Sequence, residues 1–277
     1  MIEVIGLTKN YDEIRALDGV SFSIADGEVF GLLGPNGAGK TTTIKILTTL
    51  SRSDAGRCII DGYDVTGSPS EIKKRIGVVP QENNLDRELT AYENLLIYGM
   101  LHAVRDRGRR IREVLETVGL WERRDSVVQH FSGGMQRRLI LARALLPEPS
   151  ALFLDEPSVG LDPQIRRHIW DAIRKIRKDR RTVVITTHYI EEAEALCDRV
   201  GILSKGGLIA LDTPENLKAQ VGEYVVQFVD EEGQLVQHIC RSRDEADERA
   251  KTIEAAVTIR RANLEDVFIK LTGERIE

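Results

Sequence analysis

Eight residues, Gly34-Pro-Asn-Gly-Ala-Gly-Lys-Thr41, limit this chain more than any others. The pattern G-x-x-x-x-G-K-T is a loop that cradles phosphate oxygens, with Gly34, Gly37 and Gly39 letting backbone N–H groups turn inward. Such a loop needs a strand to enter it and a helix to leave it. Glu28-Val-Phe-Gly-Leu-Leu33 supplies a continuous apolar run, and Thr41–Leu50 reads as a helix with Ile44, Leu47 and Thr48 on one side. The helix N-terminus adds a dipole that favours anions. Lys40 is expected to reach the β- and γ-phosphates of a nucleoside triphosphate, and the Thr41 hydroxyl to ligate Mg²⁺. Pro35, Asn36, Ala38 and Thr42 complete the expected contact set.

The rest of the chain agrees with an α/β fold. Ile2–Ile5, Val20–Ile24 and Arg57–Gly62 read as short strands with turns, and Asp26-Gly27 as a turn signal. Residues Ala91–Leu146 are mostly helical in pattern, with Leu95, Leu96, Ile97 and Leu101 in one helix and Ile111, Val114, Leu115 and Val118 in another. Pro147-Glu-Pro149 stops the last of these helices. From Ala151 strands and helices alternate: Ala151–Leu154, Gln164–Arg180, Thr182–Thr186, Glu191–Cys197 and Arg199–Leu203. Such alternation implies a mostly parallel sheet covered on both faces.

Composition shifts near Gln220. Glu223–Val229 and Leu235–Ile239 read as a hairpin across Asp230-Glu-Glu-Gly233, followed by a charged helix (Arg243–Glu254), a strand (Val257–Arg261) and a helix from Leu264 capped by Asn263. Residues 221–277 are therefore expected to form a small α+β unit beside a larger unit of residues 1–220. Phe268 and Leu271 are expected to pack inside that small unit or against its partner.

Two further segments carry chemistry. Leu152-Phe-Leu-Asp-Glu156 is an apolar strand ending in two carboxylates. Asp155 suits Mg²⁺, directly or through water, and Glu156 suits a general base that orients an attacking water. Phe131-Ser-Gly-Gly-Met-Gln136 opens a helix whose apolar face is Met135, Leu139, Ala142 and Leu145. Ser132 is placed to be its N-cap.

Charge and composition exclude several classes. The 277 residues are 42% hydrophobic with a net charge of −5, against the basic excess of a dedicated nucleic-acid binder. The run Arg105, Arg107, Arg109, Arg110, Arg112 reads as a solvated face. Cys58, Cys197 and Cys240 are far apart, so no zinc site or disulfide framework is indicated and a reducing cytoplasm fits. Met1-Ile-Glu-Val-Ile-Gly lacks the features of a signal peptide. No window reaches the roughly 18–20 apolar residues of a membrane helix. A membrane role would have to come through a partner.

With the Ser132-Gly-Gly-Met-Gln segment between the phosphate loop and the Asp-Glu strand, the chain resembles the ATP-binding cassette family over roughly Ile2 to Leu217. The resemblance implies a phosphate-loop ATPase with a mostly parallel central sheet, an antiparallel β subdomain, a helical signature subdomain and the small C-terminal α+β domain. It implies that Ser132, Gly133 and Gly134 serve the γ-phosphate held by the other subunit of a head-to-tail dimer. His188, in Thr186-Thr-His-Tyr-Ile-Glu-Glu-Ala-Glu-Ala195, resembles the family's switch histidine. Gln81, in Val78-Val-Pro-Gln81, resembles its lid glutamine, a Mg²⁺ and water contact. Asp162, in Gly160-Leu-Asp-Pro163, matches the loop that crosses the dimer interface. Tyr11 stands where the family stacks an aromatic on adenine; a surface Tyr in a turn is the other reading. Phe131 replaces the usual Leu, and Ser158 stands where Thr is common.

The segment Glu82–Leu95 and the tail Asn263-Leu-Glu-Asp-Val-Phe-Ile-Lys-Leu-Thr-Gly273 are similar to ATPases of prokaryotic drug-resistance and nodulation-type exporters. The implied protein binds ATP and Mg²⁺ and pairs with a second cassette. It drives a separate permease from the cytoplasmic face of the membrane and binds no nucleic acid. The alternative is a cassette ATPase acting on ribosomes or DNA. A single motif set, and a gap of only about fifty residues without heptads between Gln81 and Ser132, argue against it.

Overall fold

A computed structural model describes residues 1–178, 180–230 and 232–274. In chain order it begins with β1 (Ile2–Tyr11), β2 (Ile14–Ile24), β3 (Val29–Leu33), α1 (Lys40–Leu47), β4 (Ala55–Ile60), β5 (Tyr63–Asp64), α2 (Pro69–Arg75) and β6 (Ile76–Val79). Helices α3 (Ala91–Leu101), α4 (Arg107–Thr117) and α5 (Gly133–Leu145) follow. Then come β7 (Ala151–Asp155), α6 (Pro163–Lys178), β8 (Thr182–Thr187), α7 (Ile190–Leu196), β9 (Arg199–Ser204), β10 (Gly207–Asp212) and α8 (Pro214–Val221). The chain closes with β11 (Tyr224–Val229), β12 (Leu235–Cys240), α9 (Arg243–Lys251), β13 (Val257–Arg261) and α10 (Leu264–Thr272).

The central sheet has the order β10-β9-β3-β8-β7-β6, parallel from β9 to β6 with β10 antiparallel on one edge. Its strands read as apolar runs because both faces are buried. Alternate residues serve different cores. Val29, Leu33, Leu152, Leu154, Val183 and Ile185 face a cluster shared with α5, α6 and α7. Phe30, Leu32, Ala151, Phe153 and Val184 face a second cluster, shared with α1 and the antiparallel sheet β2-β1-β4-β5. The period of two along each strand thus joins two layers through one sheet.

Several expected elements are longer, shorter or additional. Strands expected over Ile2–Ile5 and Val20–Ile24 extend to Ile2–Tyr11 and Ile14–Ile24. Antiparallel pairing carries them through exposed polar residues that no apolar pattern marks. The first helix ends at Leu47 and the long one at Lys178; Asp179, inside the expected helix, lies outside the described residues. So do Glu231, in the expected hairpin turn, and residues 275–277. Helix α2 and strands β6 and β10 carry too little periodic signal to be read from sequence: α2 buries only Ile72, and β10 is a half-exposed edge. In the arginine run, Arg109 pairs with exposed Asp106 just before α4 and Arg112 with exposed Glu116 on it, but Arg110 turns inward toward the Leu145 carbonyl.

Strand β11 lies between β12 and β13, all antiparallel, with α9 packed on them over Val226, Cys240 and Ala246. Helix α10 starts at Asn263 as expected, through a reciprocal cap with Asp266. Its apolar face goes elsewhere than expected. Leu264, Val267 and Phe268 join the large cluster with Leu217 and Val221 of α8, while Leu271 is exposed. Leu217 and Val221 give α8 an apolar face, and α10 covers it.

Candidate nucleotide site

Strand β3 enters the glycine loop and α1 leaves it, as the motif requires. The Gly34 N–H reaches the Thr187 carbonyl at 3.4 Å, holding the loop against the end of β8. A Cβ on Gly34 would stand 2.3 Å from the Leu203 carbonyl oxygen. Gly39 has φ 105, and a Cβ there would meet the Ala16 carbonyl at 2.6 Å. Asn36 and Gly37 form the exposed tip, Ala38 is buried, and Pro35 and Thr42 are half-buried. Lys40 is 4% exposed. Its Nζ donates to the carbonyls of Gly34 at 2.7 Å and Pro35 at 3.0 Å. Burial lowers its pKa, and Glu156 opposes that shift.

The end of β7 brings the paired carboxylates to the same place. Thr41 Oγ1 donates to Asp155 Oδ1 at 3.2 Å, and Thr186 Oγ1 donates to the same oxygen at 2.5 Å. Glu156 sits at φ 46, in the left-handed region. For a residue with a Cβ this costs about 1–2 kcal/mol. The strain is held by its N–H, which bonds the Thr186 carbonyl at 3.1 Å and Thr186 Oγ1 at 3.0 Å. The turn aims Glu156 Oε1 to within 3.4 Å of Lys40 Nζ and 3.3 Å of His188 Nδ1. Thr41 and Asp155 present hard oxygen donors of the kind Mg²⁺ takes from a protein, which leaves its other positions to water and phosphate. The donor set fits the ion.

The remaining expected residues stand apart from the loop. Ser132 caps α5, its Oγ accepting from Met135 N at 3.3 Å. A Cβ on Gly133 would meet open space, whereas one on Gly134 would come within 2.1 Å of Ile165. Asp162 is exposed at the start of α6, its carbonyl accepting from Arg166 N at 2.9 Å. Gln81 is exposed just past β6. Tyr11 is exposed, with its hydroxyl 3.4 Å from Ser51 Oγ and Lys9 Nζ 5.2 Å from its ring centre. Among the described residues, no hydrogen bond or ion pair joins these side chains to Gly34–Thr42.

Two participants escape the sequence reading. Thr186 braces both carboxylates, and its signal is only its place at the end of an apolar strand. Arg137, one turn into α5, is buried and binds five carbonyl oxygens. Nε donates to Pro157 at 2.8 Å, Nη2 to Asp155 at 2.8 Å and Glu156 at 2.9 Å, and Nη1 to Gln81 at 3.3 Å and to Pro80. Burial lowers its pKa to about 10, which leaves it charged at neutral pH. Its signal is the helical spacing from Gly134, which places it on the inward face.

Comparison with known proteins matches this geometry. The family model described as ABC transporter fits residues 17–159. The chain is 40% identical to the daunorubicin resistance ATP-binding protein DrrA2 of Streptomyces coeruleorubidus, over 98% of this chain and 94% of that protein. It is 39% identical to the Nod factor export ATP-binding protein I of Ralstonia nicotianae, over 100% and 95%. A solved ATP-binding subunit of an ABC transporter superposes with a TM-score of 0.71 at 31% identity, covering 79% of this chain and 92% of that one. The dimeric cassette MJ0796, bound to ADP and Pi, superposes at 0.70 with 29% identity, over 77% and 98%. These relatives do not favour an ATPase acting on ribosomes or DNA. A phosphate loop joined to a strand-end carboxylate pair, in a fold shared with such cassettes, leads to one conclusion: the chain belongs to the ABC transporter family and is an ATP-hydrolysing subunit of that family.

Proposed function

We propose that this chain is the ATPase of an exporter and that Glu156 is its general base. The carrying observation is the position of Glu156 Oε1 between Lys40 and His188, beside the Thr41–Asp155 pair. The loop N–H groups and Lys40 bind the β- and γ-phosphates of ATP. Lys40 then exchanges its carbonyl partners for phosphate oxygens. Glu156 orients a water toward the γ-phosphorus and accepts its proton, while His188 contacts the γ-phosphate. Thr41 and Asp155, with Gln81 from the lid, hold Mg²⁺, which when bound neutralises phosphate charge. Tyr11 stacks on the adenine.

The second half of the site comes from another cassette. Ser132 and Gly133 have no bond to their own loop, and the exposed N-terminus of α5 offers N–H groups to an anion. Asp162 faces the same interface. Residues 1–220 carry the nucleotide chemistry, and residues 221–277 serve dimerisation or regulation. Among the described residues no helix is long and apolar enough to cross a membrane. On this reading a separate permease holds the chain at the cytoplasmic face, as the names of the drug-resistance and Nod factor export relatives suggest. A cavity of about 360 Å³ lined by Leu50, Val78, Pro80, Asn84, Tyr98 and His102 suits that contact, next to exposed Ile97, Met100 and Leu101 on α3. Pro80, which lines it, directly precedes Gln81 of the lid. The relatives named for drug resistance and Nod factor export support the outward direction.

Glu156→Gln tests the base. ATP affinity should stay within about threefold, and hydrolysis should fall by about 10²–10⁴. ATP should then trap a species of doubled mass in gel filtration. A variant that hydrolyses at the normal rate removes Glu156 from the mechanism.

A further inference from the structure

Glu192, on α7, is fully buried, yet no ion pair within 4.0 Å neutralises it among the described residues. Its Oε1 accepts from Ser158 Oγ at 2.6 Å and from Trp170 Nε1 at 2.9 Å. Burial raises its pKa against Ser158, Thr187 and Trp170, in that order, and against the more distant Arg166. Oε2 is buried without a partner in hydrogen-bond geometry. As a device for stability alone this is poor, because a buried carboxyl must overcome a desolvation cost that an apolar side chain avoids.

This carboxyl and the two groups that bond it belong to three different parts of the site. Ser158 is two residues beyond Glu156 and is itself fully buried. Trp170 lies on α6, the helix that the Asp162 loop opens. Glu192 lies four residues beyond His188, on the helix that begins directly after it. One oxygen atom therefore ties the base-bearing loop, the interface loop's helix and the switch histidine's helix together. The bond between His188 Nδ1 and Glu156 Oε1 at 3.3 Å closes the same circuit on the other side.

We propose that Glu192 is a positioning residue for ATP hydrolysis: by holding Ser158 and Trp170 it sets Glu156 against His188 and couples both to the Asp162 loop. The inference rests on Glu156 as base and His188 as γ-phosphate contact. Glu192 itself touches neither substrate nor metal. Its loss displaces a base already held in a strained turn, and displacements of about 1 Å can cost about a hundredfold in rate.

The test compares steady-state ATPase rates and ATP affinity of the full chain carrying Glu192→Ala, Glu192→Gln or Ser158→Ala, with Glu156→Gln in parallel. Glu192→Ala and Ser158→Ala should lower kcat by about tenfold or more. Their KM for ATP should stay within about twofold, since the phosphate loop is untouched. Glu192→Gln keeps an oxygen that accepts both bonds and should recover kcat to within about threefold. In a Trp121→Phe chain, Trp170 emission should change with ATP and lose that change in Glu192→Ala. Should Glu192→Ala fail to fold, Ser158→Ala, which removes one hydroxyl, decides alone. Wild-type kcat in folded Glu192→Ala or Ser158→Ala overturns the proposal. So does a KM that rises as kcat falls, or a Gln variant no better than Ala. Active Glu192→Ala beside inactive Glu156→Gln sinks this inference only; an active Glu156→Gln sinks the base assignment instead.

Discussion

A guanidinium held by five carbonyls and no carboxylate is an uncommon use of a buried charge. Arg137 ties the loop after β6 and the loop after β7 to the helix that Ser132 caps, joining the backbones of Gln81 and Glu156 to the signature segment. Arg137→Ala leaves several buried carbonyls unpaired and should destabilise the chain by about 3 kcal/mol or more. Arg137→Lys, with one compact donor group in place of a fork, should fall between. Denaturant unfolding midpoints measure both, and an Arg137→Ala midpoint equal to wild type would show that water replaces the guanidinium without cost. At this scale the motif residues were legible: their spacing marks Lys40, Thr41, Asp155 and Glu156, and the structure brings the four together. Arg137, Thr186 and Glu192 were not. They act through backbone or buried partners whose positions in the chain lie far away, and local spacing carries no record of them.

At the scale of elements, α10 shows the same division. Leu264, Val267, Phe268 and Leu271 have helical spacing, and Asn263 is a recognisable cap; both are local properties. What the apolar face covers is not local. Phe268 is fully buried in the large core beside α8 rather than within the three-stranded unit. Phe268→Ala should therefore cost about 3–5 kcal/mol of stability in the whole chain. ATP affinity should be unchanged, since α10 packs on α8 and α7, whereas Ala38 of the loop and the apolar residues of α1 belong to the second cluster. A thermal melt that shifts by less than a degree would show that α10 does not dock on α8 in solution. The edge strand β10 and the short helix α2 were illegible for a related reason: their stability comes from neighbours, and their sequences bury too few residues to show a period.

For the whole molecule, the informative fact is that among the described residues no hydrogen bond joins Ser132 to its own phosphate loop. Ser132→Arg should abolish hydrolysis without weakening ATP binding to the monomer, because under the proposed trans arrangement the serine serves a nucleotide held by another chain. Mixed with Lys40→Ala, it should recover activity from one composite site per dimer. If Ser132→Arg removed ATP binding from a monomer, the trans arrangement would be wrong. The amino-acid sequence alone determined the phosphate loop, the carboxylate pair, the α/β alternation and the family likeness. Each is written in contiguous residues whose spacing states a chemistry or a period. Tertiary structure alone decided which buried groups brace those motifs, where the last helix packs, and that Glu156 stands between Lys40 and His188. These depend on contacts between residues tens of positions apart, and more than a hundred apart for Lys40 and Glu156, or on a strained turn held by a neighbouring strand. No local pattern encodes the partner that such a contact will find.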